Sequence, residues 1–285
     1  MTRNQENQTA GPERKDALRL LLATLLFSLG VMLLPARKFG GLFLHDEENA
    51  LLLGSALFRT VGFIVAVIAA RRMRLRLFSS CTPVSLLLSL PFTVVVAGNY
   101  PVGALIGGAV TLSAGALRVA CLFYYCIAVG AFEEIVFRGI ALPLFTLFFK
   151  GRFRLFFAAA ADSALFALCH LVNLLSGNAG AVFMQVGYSF LVGGMCALVY
   201  LLCPNILLCG ALHALFDLGG FMATYLGAGM VWVLADILLT VFTAVAGTAY
   251  ALWLYLTRLQ NTQTAFWIKN TINGEGEPQE GDFRA

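Results

Sequence analysis

Phe132-Glu133-Glu134-Ile135-Val136-Phe137-Arg138 sets three charged side chains inside a long apolar run. Between Val119 and Phe149 no other acidic or basic residue occurs. A run of that length and apolarity reads as a membrane-spanning helix. A carboxylate or guanidinium at bilayer depth costs about 2.5 to 3.5 kcal/mol on insertion scales. Three of them together require partners, a function, or both.

Helical spacing divides the three. Glu134 and Arg138 are four apart, on one face and within ion-pair reach. Glu133 is turned about 100° away from Glu134 and about 140° from Arg138. Arg138 therefore neutralises Glu134 in cis and leaves Glu133 without a local counter-ion, a candidate general base tuned by its surroundings. The plainer alternative is a structural ion-pair cluster that ties helices together.

The rest of the chain agrees with a membrane reading. Of 285 residues, 60 % are hydrophobic and only 12 % charged, with a mean hydropathy of +0.84. Soluble domains rarely tolerate so few charges. The net charge is +4, but no basic run is interleaved with aromatics, which argues against nucleic acid as a partner. The seven cysteines lie scattered in apolar runs without CxxC spacing and read as small buried hydrophobes rather than a disulfide frame. No small-residue cleavage site follows the first apolar run, which reads as an uncleaved signal anchor.

The expected fold is all-α, a polytopic membrane helical bundle of about eight transmembrane helices. One transmembrane domain (17–258) lies between a polar cytoplasmic head (1–16) and a polar cytoplasmic tail (259–285). Apolar runs at 17–34, 49–70, 83–98, 155–175, 181–202, 206–225 and 230–256, with the acidic-motif helix, make up the eight. The segment 102–117, rich in Gly, Ala and Ser, reads as a short interfacial or re-entrant piece. No Lys or strand pattern accompanies its glycines, so a phosphate-cradling loop is a poor reading. The basic clusters Arg71, Arg72, Arg74, Arg76 and Lys150, Arg152, Arg154 belong in the cytoplasm by the positive-inside rule. Both termini are then cytoplasmic, and a prokaryotic plasma membrane is the expected setting.

Two of the three histidines fall in predicted spans. His170 follows Phe166 by one turn, and Asp217 follows His213 by one turn. A lone helical histidine is usually a satisfied packing residue, but two of them with an intramembrane acid point to a site. Arg59, Asp162 and Asp236 also fall in spans and are expected to pair with one another structurally. Arg19 and Arg118 sit near enough to helix ends to snorkel. His45 belongs to an acidic loop and reads as solvated.

A carboxylate and two imidazoles supply the parts for water activation in a dry cavity. Glu133 would take the proton of a water attacking a carbonyl, one histidine would serve the leaving amine, and another donor the oxyanion. Asp217 would fix the tautomer of His213. Glu133, His170 and His213 could instead hold zinc, but no HExxH helix is present, so metal-free glutamate catalysis is the preferred reading. No GxSG serine elbow occurs, since Gly187-Tyr188-Ser189-Phe190 fails at its last position, and no YD and GxGD aspartate pair is found.

Glu133-Glu134-x-x-x-Arg138, Phe166-x-x-x-His170 and His213-x-x-x-Asp217, in that order on separate helices, resemble the CPBP family. These are CAAX prenyl endopeptidases and bacteriocin-processing or bacteriocin-immunity membrane proteins, also called Abi. The likeness covers about residues 121–220. It implies an intramembrane endopeptidase in which Glu133 activates water, Glu134 and Arg138 support the site, and His170 and His213 act as acid and oxyanion contacts. The family's last position is Asn or Asp; an ionised Asp217 cannot donate as Asn would, so it orients His213, carries a proton or binds metal. The implied partners are the lipid bilayer and a peptide or protein substrate, with the oligomeric state open. The implied cofactor is none, or zinc. A non-catalytic scaffold or bacteriocin-immunity-type protein, or a small transporter, is the alternative.

Overall fold

The structure, a computed structural model, describes residues 14–175, 177–229 and 232–259. The expected polar head up to residue 13, the tail from residue 260 and the first residues of the expected 230–256 helix lie outside them. In chain order the elements are α1 (Arg14–Met32), α2 (Ala36–Gly40), α3 (Glu47–Arg72), α4 (Pro83–Ser89), α5 (Pro91–Ala97), α6 (Val102–Ile106), β1 (Val110–Leu112) and α7 (Ala116–Glu134). A π-helical stretch, Ile135–Ala141, leads into α8 (Leu142–Thr146). Then come α9 (Arg154–Cys169), a 3-10 turn (His170–Leu175), α10 (Ala179–Leu202), α11 (Ile206–Leu226), β2 (Gly227–Gly229) and α12 (Leu234–Thr257).

Polarity is inverted relative to a water-soluble protein. Glu134, Arg138 and Asp162 have no exposed surface, whereas Phe242 is 71 % exposed on α12. Such a distribution is stable only where the surroundings are hydrocarbon and the polar groups satisfy one another inside.

Among the described residues, six helices are long and apolar enough to cross a membrane: Glu47–Arg72, Ala116–Thr146, Arg154–Leu175, Ala179–Leu202, Ile206–Leu226 and Leu234–Thr257. Two expected spans differ from this set. The first helix begins at Arg14, and its sequence carries Arg14, Lys15, Asp16 and Arg19 in the first turns. The expected 83–98 helix breaks in two at Leu90, because Pro91 has no N–H to give and crowds the preceding turn. The 102–117 segment holds only the five-residue α6 and a strand. That strand, β1, pairs antiparallel with β2, Val110 opposite Gly229. Asp236 of α12 takes the backbone N–H groups of Gly103 and Ala104 at 2.6 and 2.9 Å, capping α6 rather than pairing with Arg59 or Asp162.

Some helix starts follow side-chain caps. Asp46 accepts the Asn49 N–H at 2.8 Å and starts α3. Asn205 accepts from Leu207 and Leu208 and starts α11 immediately after Pro204. The segment before α4 docks on that same turn. Ser79 N–H reaches Pro204 O at 2.9 Å, Ile206 N–H reaches Leu77 O at 2.8 Å, and Asn205 donates to Ser79 O at 3.0 Å.

This docking corrects the cysteine reading. Cys81 and Cys203 form a disulfide across 122 residues, while the other five cysteines are free and buried as expected. Near the opposite end, Arg118 is bound by Asp46, Glu48 and Asn49 instead of reaching freely to solvent.

The site is positioned by the packing of α7 against α11. Gly130 makes their close approach feasible, since a Cβ there would stand 2.5 Å from Gly210 O and 2.9 Å from Ala214 N. Small residues at such crossings let two backbones meet. Glu133 lies one turn beyond Gly130 and His213 one turn beyond Gly210, so the crossing sets the acids against the imidazole.

Candidate active site

Glu134 closes the α-helical part of the motif helix, and Arg138 lies in the π-helical stretch that follows. The even α-helix expected from the sequence is thus replaced by a wider turn, a feature frequent at functional sites. The expected ion pair nevertheless forms: Arg138 Nη1 donates to Glu134 Oε1 at 3.1 Å, both groups fully buried.

Arg138 is the hub of three helices. Its Nη2 donates to Gly193 O of α10 at 2.8 Å, and its Nε stands 3.5 Å from Asp162 Oδ2 of α9. The guanidinium also lies over the Phe166 ring at 4.7 Å. Residue 193 must be small, because a Cβ would meet Arg138 Nη2 at 3.0 Å and Phe166 at 3.2 Å.

Glu134 also meets His213. His213 Nδ1 is 2.7 Å from Glu134 Oε1, the shortest polar contact of this imidazole. Asp217, expected to orient His213, is instead 3.7 Å from its Nε2, as is Glu133 Oε2. Both distances exceed direct hydrogen-bond range. Nδ1 is therefore committed to Glu134, and Nε2 faces two carboxylates.

His170 ends α9 and opens the 3-10 turn, so the helix that reaches Leu175, as expected, tightens one turn after Phe166. Its Nδ1 is 2.9 Å from Phe166 O, and its ring stands edge-on to Phe166 with centroids 4.9 Å apart. Phe166 meets the His213 ring in the same way at 5.7 Å. One aromatic ring thus holds both imidazoles.

A cavity of about 100 Å³ opens at this point. Glu133, His170, His213 and Asp217 line it, whereas Glu134 and Arg138 stand behind its wall. That division matches the spacing argument, in which Glu134 pairs with Arg138 and Glu133 does not. Arg59, Tyr125, Asn173, Gln185 and Tyr188 line the same cavity. Sequence reasoning assigned Arg59 a structural partner and passed over the other four. The signal was available for Arg59, since an arginine in the middle of an apolar helix is as costly as Glu133. Tyrosine and amide side chains carry no such signal. An apolar cavity of about 180 Å³ adjoins the polar one and shares Tyr188, Val192 and Phe216 with it.

Among the described residues no three His, Cys, Asp or Glu side chains stand together as a metal-binding group. Glu133, His170 and His213 share a cavity without forming a ligand cluster.

The fold and the buried cluster define a helical membrane protein carrying an acid-imidazole site. Residues 115–219 match the model of the family described as type II CAAX prenyl endopeptidase Rce1-like. The match coincides with the segment whose three motifs resemble CPBP proteases and includes every candidate site residue from Glu133 to Asp217. No curated protein and no solved structure matches the chain.

Proposed function

We propose that the chain is an intramembrane endopeptidase that cuts a peptide or protein tail with a water activated by Glu133. The observation that carries this reading is the cavity shared by Glu133, His170, His213 and Asp217. Its support is the family match over the same residues.

In the proposed reaction, Glu133 takes one proton as the water oxygen bonds to the peptide carbonyl carbon. The developing oxyanion is met by an imidazole N–H facing the cavity, in a water-poor space where such a bond counts for more. The C–N bond then breaks as a proton passes to the amine nitrogen from Glu133 or His213. Glu134 holds Nδ1 of His213 and so presents Nε2 to the reacting groups. Arg138 holds Glu134 in turn. The adjoining apolar cavity suits hydrophobic residues of the bound chain.

The reaction is written without a metal, because the three candidate ligands do not form a ligand group. Activity abolished by a chelator and restored by zinc would replace this version. We place eight crossings and both termini in the cytoplasm, with α1 and the broken α4–α5 helix as the two crossings beyond the six long helices. We further place the protein in a prokaryotic plasma membrane. The test is the purified chain in liposomes with a peptide library, read by mass spectrometry. Defined fragments are expected; ion-gradient-driven uptake without hydrolysis would establish a transporter instead.

A further inference from the structure

Arg59 sits twelve residues from the start of α3 and thirteen from its end. At about 1.5 Å per residue, either end lies roughly 18 to 20 Å away, too far for its side chain to reach an interface along the helix. The guanidinium must find its acceptors inside the bundle. It lines the Glu133 cavity, and among the described residues it is the one arginine or lysine to do so.

Its contacts within the chain are thin. Nη1 is 3.5 Å from Ser55 O, at the outer limit of a hydrogen bond, and Nε is buried without a partner. The guanidinium carbon lies 5.7 Å from the Tyr125 ring centre. No ion pair joins it to a carboxylate among the described residues. Arg138 shows the contrast, with two carboxylates and a carbonyl around it. A guanidinium carries five N–H donors in a planar fork that fits a carboxylate with two parallel bonds.

We propose that Arg59 is the receptor for a carboxylate on the peptide that enters the Glu133 cavity. The inference rests on the peptidase reading. The carboxylate is either a free peptide C-terminus or an Asp or Glu side chain; both present the same fork-matching group. The same cavity is lined by both Arg59 and Glu133. The anchored carboxylate and the scissile bond therefore enter one cavity together. Arg59 then selects substrate and sets the cleavage register, while Glu133 does the chemistry.

The test uses the full chain in liposomes and four versions of one cleavable peptide, with a free or amidated C-terminus and with or without an acidic residue beside the cut. Wild type is expected to show a KM at least about tenfold lower for a carboxylate-bearing peptide than for its uncharged counterpart, the loss of a charged hydrogen bond. If the free-acid and amide forms differ, the C-terminus is the source; if only the acidic residue matters, the side chain is. In Arg59→Gln the discrimination should fall below about twofold, and Arg59→Lys should keep part of it. Equal KM for all four peptides on wild type overturns the anchor and leaves the peptidase reading intact, whether or not the variants fold. A uniform drop in kcat in Arg59→Gln with discrimination preserved also overturns it, by making Arg59 an internal charge balance. No cleavage of any peptide by wild type overturns the peptidase reading itself.

Discussion

Arg138→Met tests the hub beneath the cavity. The substitution keeps much of the side-chain length and removes every donor. It deletes the 3.1 Å bond to Glu134, the 2.8 Å bond to Gly193 O and the 3.5 Å approach to Asp162. Glu134 keeps its 2.7 Å contact with His213, so the loss falls hardest on Asp162. That carboxylate has no exposed surface, and neither of its oxygens has a hydrogen-bond partner. Removing one partner of a buried pair costs about 3–5 kcal/mol, mostly from the charge left behind. At about 2 to 4 °C per kcal/mol, the melting temperature should fall on the order of 10 °C. Thermal unfolding in detergent, followed by tryptophan fluorescence, measures it. Asp162→Asn in the same background removes the orphaned charge and should recover part of the loss, a coupling of roughly 1 to 3 kcal/mol in a double-mutant cycle. A melting temperature within about 2 °C of wild type for Arg138→Met, or no recovery in the double variant, refutes the hub.

Gly130→Ala inserts a methyl 2.5 Å from Gly210 O. It should cost about 1–3 kcal/mol and reduce peptide cleavage by displacing His213 from Glu134, read by melting temperature and initial rate. Reducing the Cys81–Cys203 bond frees a loop of 122 residues, which should lower stability by at most about 5 kcal/mol, seen as a lower melting temperature in dithiothreitol. The Asn49 N–H, with Arg118 behind it, holds the Asp46 carboxyl below its usual value of 3.8. Because the folded value is the lower one, the cap contributes fully above about pH 4 and is lost as pH falls through the folded value. Asp46→Ala should therefore melt below wild type at neutral pH, with the gap closing in acid.

Much of the site could be read from spacing because the cost of burying charge in lipid is so large. Glu133, Glu134 and Arg138 stood out against an apolar run, and the division between paired Glu134 and cavity-facing Glu133 follows from helical rotation alone. The same cost marked His170 and His213. Sequence periodicity was less informative where a local feature bends the pattern. Pro91 splits one expected span, the π-helical stretch widens the motif helix, and the Arg154–Leu175 helix tightens to 3-10 form at His170. Partners that meet only through the tertiary fold were not legible. Asp217 was the sequence neighbour of His213, yet Glu134 of another helix makes the close contact. Asp162 meets Arg138, Asp236 caps α6, and Cys81 finds Cys203 because the chain before α4 docks on the Pro204 turn.

Glu133→Gln keeps the size and shape of the proposed base and removes its capacity to take a proton. Purified into liposomes beside wild type, the variant should melt near the wild-type temperature and still retain substrate peptide. Its kcat should fall about 10² to 10⁴-fold, the usual contribution of general base catalysis. Cleavage within tenfold of wild type by a folded Glu133→Gln protein would contradict the account.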